Sequence, residues 1–130
     1  MKSVFLICPV RNASKEALEA ANAYVSELES RGYKVHWPPR DTAQDDPVGL
    51  RICRDNGRAL LAADEVHLWY DPASQGSIFD LGMLFMAAEV IGPKKKVVIV
   101  NPEALPPSDG KKSFVNVLRA LADESAGRDA

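Results

Sequence analysis

The chain has 130 residues, of which 46% are hydrophobic and 26% charged, and its formal net charge at pH 7 is −2. This length suits one domain with a substantial buried core, and the composition is globular rather than disordered. So small a charge provides no basic surface for a nucleic-acid polymer or an anionic membrane. The first apolar segment is too short for a signal peptide or a membrane-spanning helix. We therefore expect one cytoplasmic domain over residues 1–130, with a frayed tail at 124–130.

Strand-like and helix-like segments alternate along the chain. The continuous apolar run Ser3–Cys8 is typical of a strand covered on both faces, and apolar residues recur at helical spacing from Ser14 to Arg31. The further predicted strands are Tyr33–Trp37, Glu65–Tyr70 and Val97–Val100, and the further predicted helices are Pro47–Ala63, Ser77–Ile91 and Lys112–Asp123. The order βαβαβαβα predicts an α/β fold with a parallel sheet of about four to five strands and helices on both faces.

Ligands of such sheets bind beyond the carboxyl ends of the strands, near the point where the strand order reverses. Three loops could therefore carry a site: Pro9–Ala13, Pro38–Asp46 and Asp71–Gly76. The third loop is the most informative, because it places Ser74, Gly76 and Ser77 at the start of a helix. The free N–H groups of a helix N-terminus can bind an anion, and a glycine lets a ligand approach the backbone closely.

Asp80 is the only charged residue between Ser77 and Ala88. A carboxylate in such apolar surroundings costs free energy unless it is hydrogen-bonded or faces a cleft. The spacing of Ser77 and Asp80 also matches a capping box, in which Asp80 would only satisfy the first turn of its own helix. The sequence leaves both interpretations open.

Arg11 and Trp37 each have a functional and a structural interpretation. Arg11 follows the first strand, where a guanidinium could bind a phosphate in a bidentate manner or lie at the surface. Trp37 ends the second strand, where its indole could stack on a base or pack in the core. Lys94–Lys96 has the pattern of a solvated turn.

The cysteines and histidines predict no metal or redox site. Cys8 and Cys53 show no CxxC spacing and lie in apolar surroundings, which predicts two reduced core thiols. His36 and His67 lie in strands without a second ligand at metal spacing, so we expect them to be hydrogen-bonded structural residues.

Three segments, Cys8–Arg11, Ala62–Val66 and Gly76–Gly82, resemble the nucleoside 2-deoxyribosyltransferases, a superfamily that includes the deoxynucleoside 5′-monophosphate N-glycosidases. The resemblance covers residues 3–101 and implies a flavodoxin-like fold and cleavage of an N-glycosidic bond, with no cofactor. In that family a glutamate before a Leu/Ile-Gly pair attacks the anomeric carbon of the sugar. Asp80 stands at this position and is one methylene shorter.

The resemblance also implies the other site residues. An acidic residue on the helix before the third strand assists catalysis in the family; Asn56 matches it, with Asp55 beside it, and an asparagine cannot act as acid or base at neutral pH. Where the transferases have an aspartate six residues before the nucleophile, this chain has Ser74. A serine there, together with Arg11, is similar to the branch that holds a 5′-phosphate. Together with the loop residues considered above, the predicted substrate site comprises Pro9, Arg11, Asn12, Trp37, Ser74, Gly76 and Ser77.

Two functions follow from these residues. The first is a nucleoside 5′-monophosphate N-glycosidase, or a related transferase, in which Asp80 is the nucleophile. The second is a non-catalytic nucleotide- or metabolite-binding module, because the departures from the family fall on Asp80 and Asn56. The partner is a small-molecule nucleoside or nucleotide in both. The helix Ser77–Ile91 is apolar nearly all round, which predicts a homodimer or higher homo-oligomer through it.

Overall fold

The computed structural model of the protein describes residues 1–11 and 13–127. The strands are β1 (Ser3–Ile7), β2 (Lys34–His36), β3 (Glu65–Leu68) and β4 (Lys96–Ile99). The α-helices are α1 (Lys15–Ser30), α2 (Pro38–Asp41), α3 (Leu50–Ala62), α4 (Gln75–Met86) and α5 (Phe114–Ser125). A π-helical turn, Ala87–Ile91, extends α4, and a short 3₁₀ helix, Pro102–Ala104, follows β4.

The four strands form one sheet in the order β2-β1-β3-β4, and every neighbouring pair is parallel. Phe5 of β1 lies between His36 of β2 and Val66 of β3 in the register. The direction of winding reverses between β1 and β3, so the crevice for a ligand lies beyond the carboxyl ends of these two strands. The predicted α/β class and parallel sheet are thus confirmed.

The hydrophobic core has two parts, one on each face of the sheet. Successive strand residues point to opposite faces, so Val4 and Leu6 pack under α1, whereas Phe5 and Ile7 pack under α3, α4 and α5. All four of these side chains are fully buried. This double burial explains why β1 is a continuous apolar run rather than an alternating one.

The segment between β2 and β3 departs from prediction in two places. The predicted polar loop contains the short helix α2, and the helix expected from Pro47 begins only at Leu50. The carboxylate of Asp46 accepts the N–H groups of Val48, Arg51 and Ile52, and so caps α3 from four residues upstream. Gly49 makes this entry possible because it adopts a φ of +93°.

Two charged or polar residues near β4 are buried against expectation. Lys95 is 2% exposed rather than solvated, and its Nζ donates to the carbonyls of Leu61 and Ala63 at the end of α3. Ser125 is fully buried and accepts the N–H of Val97 on its hydroxyl oxygen at 2.8 Å. Residues 124 and 125 therefore belong to α5 and not to a frayed tail, and residues 128–130 lie outside the described part of the chain.

Within residues 1–11 and 13–127, no helix has the length and apolar character to cross a membrane.

Candidate active site

A cleft of about 500 Å³ lies where the loops after β1 and β3 meet α2, α3 and α4. Small-molecule sites commonly have volumes of roughly 300–1,000 Å³, so the cleft has room for a ligand of nucleotide size. The polar residues that line it are Arg11, Gln44, Asn56, Ser74, Gln75 and Asp80. The structure thus joins residues from all three predicted loops and from α3 at one place.

Asp80 lines this cleft and does not cap its own helix. The helix begins at Gln75 with Ser74 as its N-cap, so Asp80 lies in the second turn, beyond reach of the free N–H groups of the first. The interpretation of Ser77 and Asp80 as a capping box is therefore wrong. No hydrogen bond reaches the Asp80 carboxyl from residues 1–11 or 13–127, and the residue is partly buried.

Burial raises the pKa of Asp80 to about 7 from its ordinary value of 3.8, because a charged carboxylate is poorly solvated in the cleft wall. Burial also raises the pKa of the Cys8 thiol to about 11, and the negative charge of Asp80 contributes to this rise. Near neutral pH Asp80 is consequently a mixture of acid and carboxylate. A cation or hydrogen-bond donor brought into the cleft would favour the ionised form.

The start of α4 and the loop after β1 form the side of the cleft that is suited to binding an anion. Arg11 is exposed here, and the N–H groups of Gln75 and Gly76 have no partner within α4 because they stand in its first turn. A Cβ added at Gly76 would meet no described atom within 4 Å, so the space above this backbone is open.

The two serines of this loop act mainly on the helix itself. The Ser74 hydroxyl accepts the N–H of Ser77 at 3.2 Å and donates to the Ser77 hydroxyl at 2.9 Å. Ser77 is 3% exposed and supports Ser74 from behind rather than lining the cleft. Ser74 lines the cleft, but its hydroxyl already donates one hydrogen bond and accepts another.

Asn56 is the residue of α3 that faces the cleft. It is 7% exposed, and its Oδ1 accepts a hydrogen bond of 2.6 Å from the Thr42 hydroxyl. Asp55 lies about 100° further round the helix and forms an ion pair of 3.1 Å with Arg58. The structure therefore brings Asn56, but not Asp55, into the cleft with Asp80.

Trp37 is not positioned to stack on a base in this cleft. It is 8% exposed and, one residue beyond the end of β2, packs with Val35 in the core under α1. Pro9 lines a smaller cavity of about 150 Å³ beside Trp69 and Tyr70. Asn12 lies outside the described residues.

The cleft is also lined by two residues that were not among the predicted site residues. Gln44 lines the cleft, and its Nε2 donates to the carbonyls of Pro38 and Thr42, both at 3.0 Å. Its Oε1 is therefore the atom that remains available to accept a hydrogen bond from a ligand. Phe79 is 57% exposed and gives the cleft an aromatic edge. Gln44 lies in a segment without hydrophobic periodicity and carried no signal, whereas the adjacency of Phe79 to Asp80 was visible in the sequence.

Of the cysteines and histidines, only Cys53 departs from the predicted role. Both cysteines line the cleft, but Cys8 is buried, whereas Cys53 is only half-buried and is not the core thiol that its surroundings predicted. His67 is hydrogen-bonded to Glu65 and Tyr24, and His36 to Thr42. Among the residues that the structure describes, no group of three or more His, Cys, Asp or Glu could hold a metal ion.

No protein-family model matches the sequence, and no curated protein matches it. Among solved structures, the fold is similar to that of BcmB, a CMP N-glycosidase of Clostridium botulinum, with a TM-score of 0.58. The two sequences are 20% identical, and the match covers 94% of this chain and 84% of that one. At this identity the likeness establishes the fold, and it agrees with the fold that the sequence resemblance implied.

Proposed function

We propose that the protein cleaves the N-glycosidic bond of a nucleoside 5′-monophosphate, with Asp80 as the nucleophile. The observation that carries this proposal is the Asp80 carboxyl, which lines a cleft without a hydrogen bond from any described residue. Arg11 and the first turn of α4 line the same cleft. A ligand that combines a phosphate with an electrophilic sugar carbon complements both features, and the fold shared with a CMP N-glycosidase supports the same ligand class.

The chemistry requires the ionised form of Asp80. One carboxylate oxygen attacks the anomeric carbon, and the bond to the base breaks as the base leaves with the electron pair and takes a proton from water. A water molecule then attacks the anomeric carbon of the glycosyl ester and loses one proton to the solvent, which releases the sugar phosphate and restores the carboxylate. The positive charge that develops on the sugar ring favours ionised Asp80, and this offsets the burial that raises its pKa.

The phosphate is held by Arg11 together with the N–H groups of Gln75 and Gly76. A guanidinium offers two parallel donors to phosphate, and a helix N-terminus adds backbone donors and a partial positive charge. Ser74 contributes by fixing the start of α4 through its cap. These contacts favour a nucleotide over a free nucleoside.

The outer face of α4 supports a homodimer. Ile78, Phe85 and Met86 are 44–55% exposed, and Val90 and Ile91 of the following π-helical turn are 62% and 66% exposed. A Cβ at Gly82, on the same side, would meet nothing within 4 Å, so a partner helix could approach closely there. Contiguous apolar patches of this kind mark association surfaces.

The second candidate is a nucleotide-binding module, and it too has a specific observation in its favour. Asn56 stands in the cleft where an acid would assist catalysis, and an amide can neither give nor take a proton at neutral pH. The cleft would then bind a nucleotide and leave its glycosidic bond intact.

One experiment tests both candidates. The protein is incubated with CMP, UMP, AMP and GMP, their deoxy forms and the matching nucleosides, and free base is measured by chromatography while binding is measured by calorimetry. Asp80→Asn is the test variant, and Asp109→Asn, in an exposed loop, is the matched control. Base release that only Asp80→Asn abolishes supports the enzyme, and binding without release supports the module. Absence of binding to every compound contradicts both.

A further inference from the structure

A hydrogen-bonded path leads from the cleft into the protein through three elements. The Nε2 of His36, at the end of β2, lies 2.8 Å from the Thr42 hydroxyl, which follows α2 and donates to Oδ1 of Asn56 on α3 at 2.6 Å. Thr42 is 4% exposed and Asn56 7% exposed, so water competes little for these bonds. We call these three residues the polar relay.

The direction of the polar relay follows from the orientation of the Asn56 amide together with the proton count of the Thr42 hydroxyl. A threonine hydroxyl has one proton, and Thr42 gives it to Asn56. The hydroxyl oxygen must then accept from His36, which requires a hydrogen on Nε2 of the imidazole. Because Oδ1 of Asn56 is already engaged, its amide NH₂ is the group that Asn56 offers to the cleft.

We propose that His36 and Thr42 are positioning residues that hold Asn56 with its NH₂ turned into the cleft, where it donates a hydrogen bond to an acceptor atom of the ligand. That this ligand is a nucleotide rests on the proposed function; the orientation does not. If His36 carried its hydrogen only on Nδ1, Thr42 would donate to His36, and Asn56 would turn over to present its carbonyl oxygen. The relay therefore selects a ligand with an acceptor at this point.

The surroundings of His36 keep the direction of these hydrogen bonds, from His36 through Thr42 to Asn56, constant. Its ring stacks on Phe5 of β1 at a centroid distance of 5.3 Å and an angle of 8°, which leaves the imidazole little freedom to rotate. Burial lowers the pKa of His36, and the charged groups that act on it are Asp41 and Arg40 from α2 and Asp55 from α3. Protonation would place hydrogens on both ring nitrogens, so Nε2 donates to Thr42 in the neutral and in the charged state alike.

The orientation is tested in the ligand-free protein, so that its result does not depend on the proposed function. Two-bond ¹H–¹⁵N correlation spectra of ¹⁵N-histidine-labelled protein at pH 7.5 distinguish the two neutral tautomers. We expect the Nε2–H tautomer for His36 in the wild type and a mixture in Thr42→Val, which keeps the shape but removes the acceptor. The Nδ1–H tautomer in the wild type overturns the proposal, whether or not Thr42→Val folds.

The role toward a ligand is tested by calorimetry with CMP. Thr42→Val should weaken binding about tenfold, whereas Thr42→Ser, which keeps the hydroxyl, should bind like the wild type. Thr42→Val should have little further effect in an Asn56→Ala background, because the oriented donor is already absent. Equal weakening by Thr42→Ser and Thr42→Val, or additive effects in the double variant, contradicts the positioning role. If the wild type does not bind CMP, the proposed function fails for this ligand, and the tautomer measurement still decides the orientation.

Discussion

Replacing Asp80 by asparagine should stabilise the protein at alkaline pH and should do so much less at acidic pH. Burial raises the pKa of Asp80 from 3.8 to about 7 in the folded state, so the fold binds the proton more tightly than the unfolded chain does. The stability contributed by the protonated carboxyl is fully present below the unfolded value and is lost as the pH rises through about 7. The full loss corresponds to at most about 4 kcal/mol.

The assay is urea unfolding of the wild type and of Asp80→Asn at pH 5 and pH 8.5. Since asparagine does not titrate, the advantage of Asp80→Asn in free energy of unfolding should grow by about 2–3 kcal/mol between these pH values. Glu103→Gln, at an exposed position, is the control, and its difference from the wild type should stay nearly constant. A constant difference for Asp80→Asn, or a less stable variant at pH 8.5, refutes the argument that Asp80 lies unpartnered in the cleft wall.

Three further variants test other parts of the structure. Gly76→Ala should raise the thermal midpoint slightly, since alanine favours the helix and its Cβ meets no described atom, yet it should weaken CMP binding by calorimetry because it narrows the approach to the backbone. Lys95→Met should lower the free energy of unfolding in urea by about 1–3 kcal/mol, because one buried and one partly buried carbonyl at the end of α3 lose their donor. Phe85→Glu should shift sedimentation to the monomer, whereas Phe114→Glu, 90% exposed on α5, should not. Each expectation fails on a definite result: Lys95→Met as stable as the wild type, Gly76→Ala with unchanged CMP binding, or Phe85→Glu with unchanged sedimentation.

The sequence contained enough to predict the fold and the edge of the sheet that carries the cleft. The apolar run of β1 and the alternation with helical segments specify a parallel sheet, because only a strand buried on both faces is apolar throughout. The loops with Arg11 and Gly76 then had to meet at the carboxyl edge. Asp80 was conspicuous because it is a single charge in an apolar helix.

Details that depend on tertiary partners were not predictable. Ser74 and Ser77 are both suitable N-caps, and only the observed start of α4 shows that Ser74 takes this role and leaves Asp80 free. Trp37 could face either side of the sheet, because a strand of three residues gives too short an alternation to fix its register. The burial of Lys95 depends on carbonyls more than thirty residues away in the sequence.

The polar relay shows the same limitation at the site itself. Asn56 was identified by its position, but its hydrogen-bonding direction depends on Thr42 and His36, which approach it from two other elements. Neither residue has a sequence pattern that links it to Asn56. The chemistry that an amide presents to a cleft is thus a property of the packed structure.

A crystal structure of Asp80→Asn with CMP would show whether the side chain at position 80 lies at the anomeric carbon of the bound nucleotide, because this variant should bind the nucleotide without cleaving it. We expect the phosphate to lie against Arg11 and the first turn of α4, with the anomeric carbon about 3–3.5 Å from the side chain at position 80. A nucleotide bound in the reverse direction, with its base at Arg11, or bound outside the cleft, would rule out Asp80 as the nucleophile of the proposed reaction.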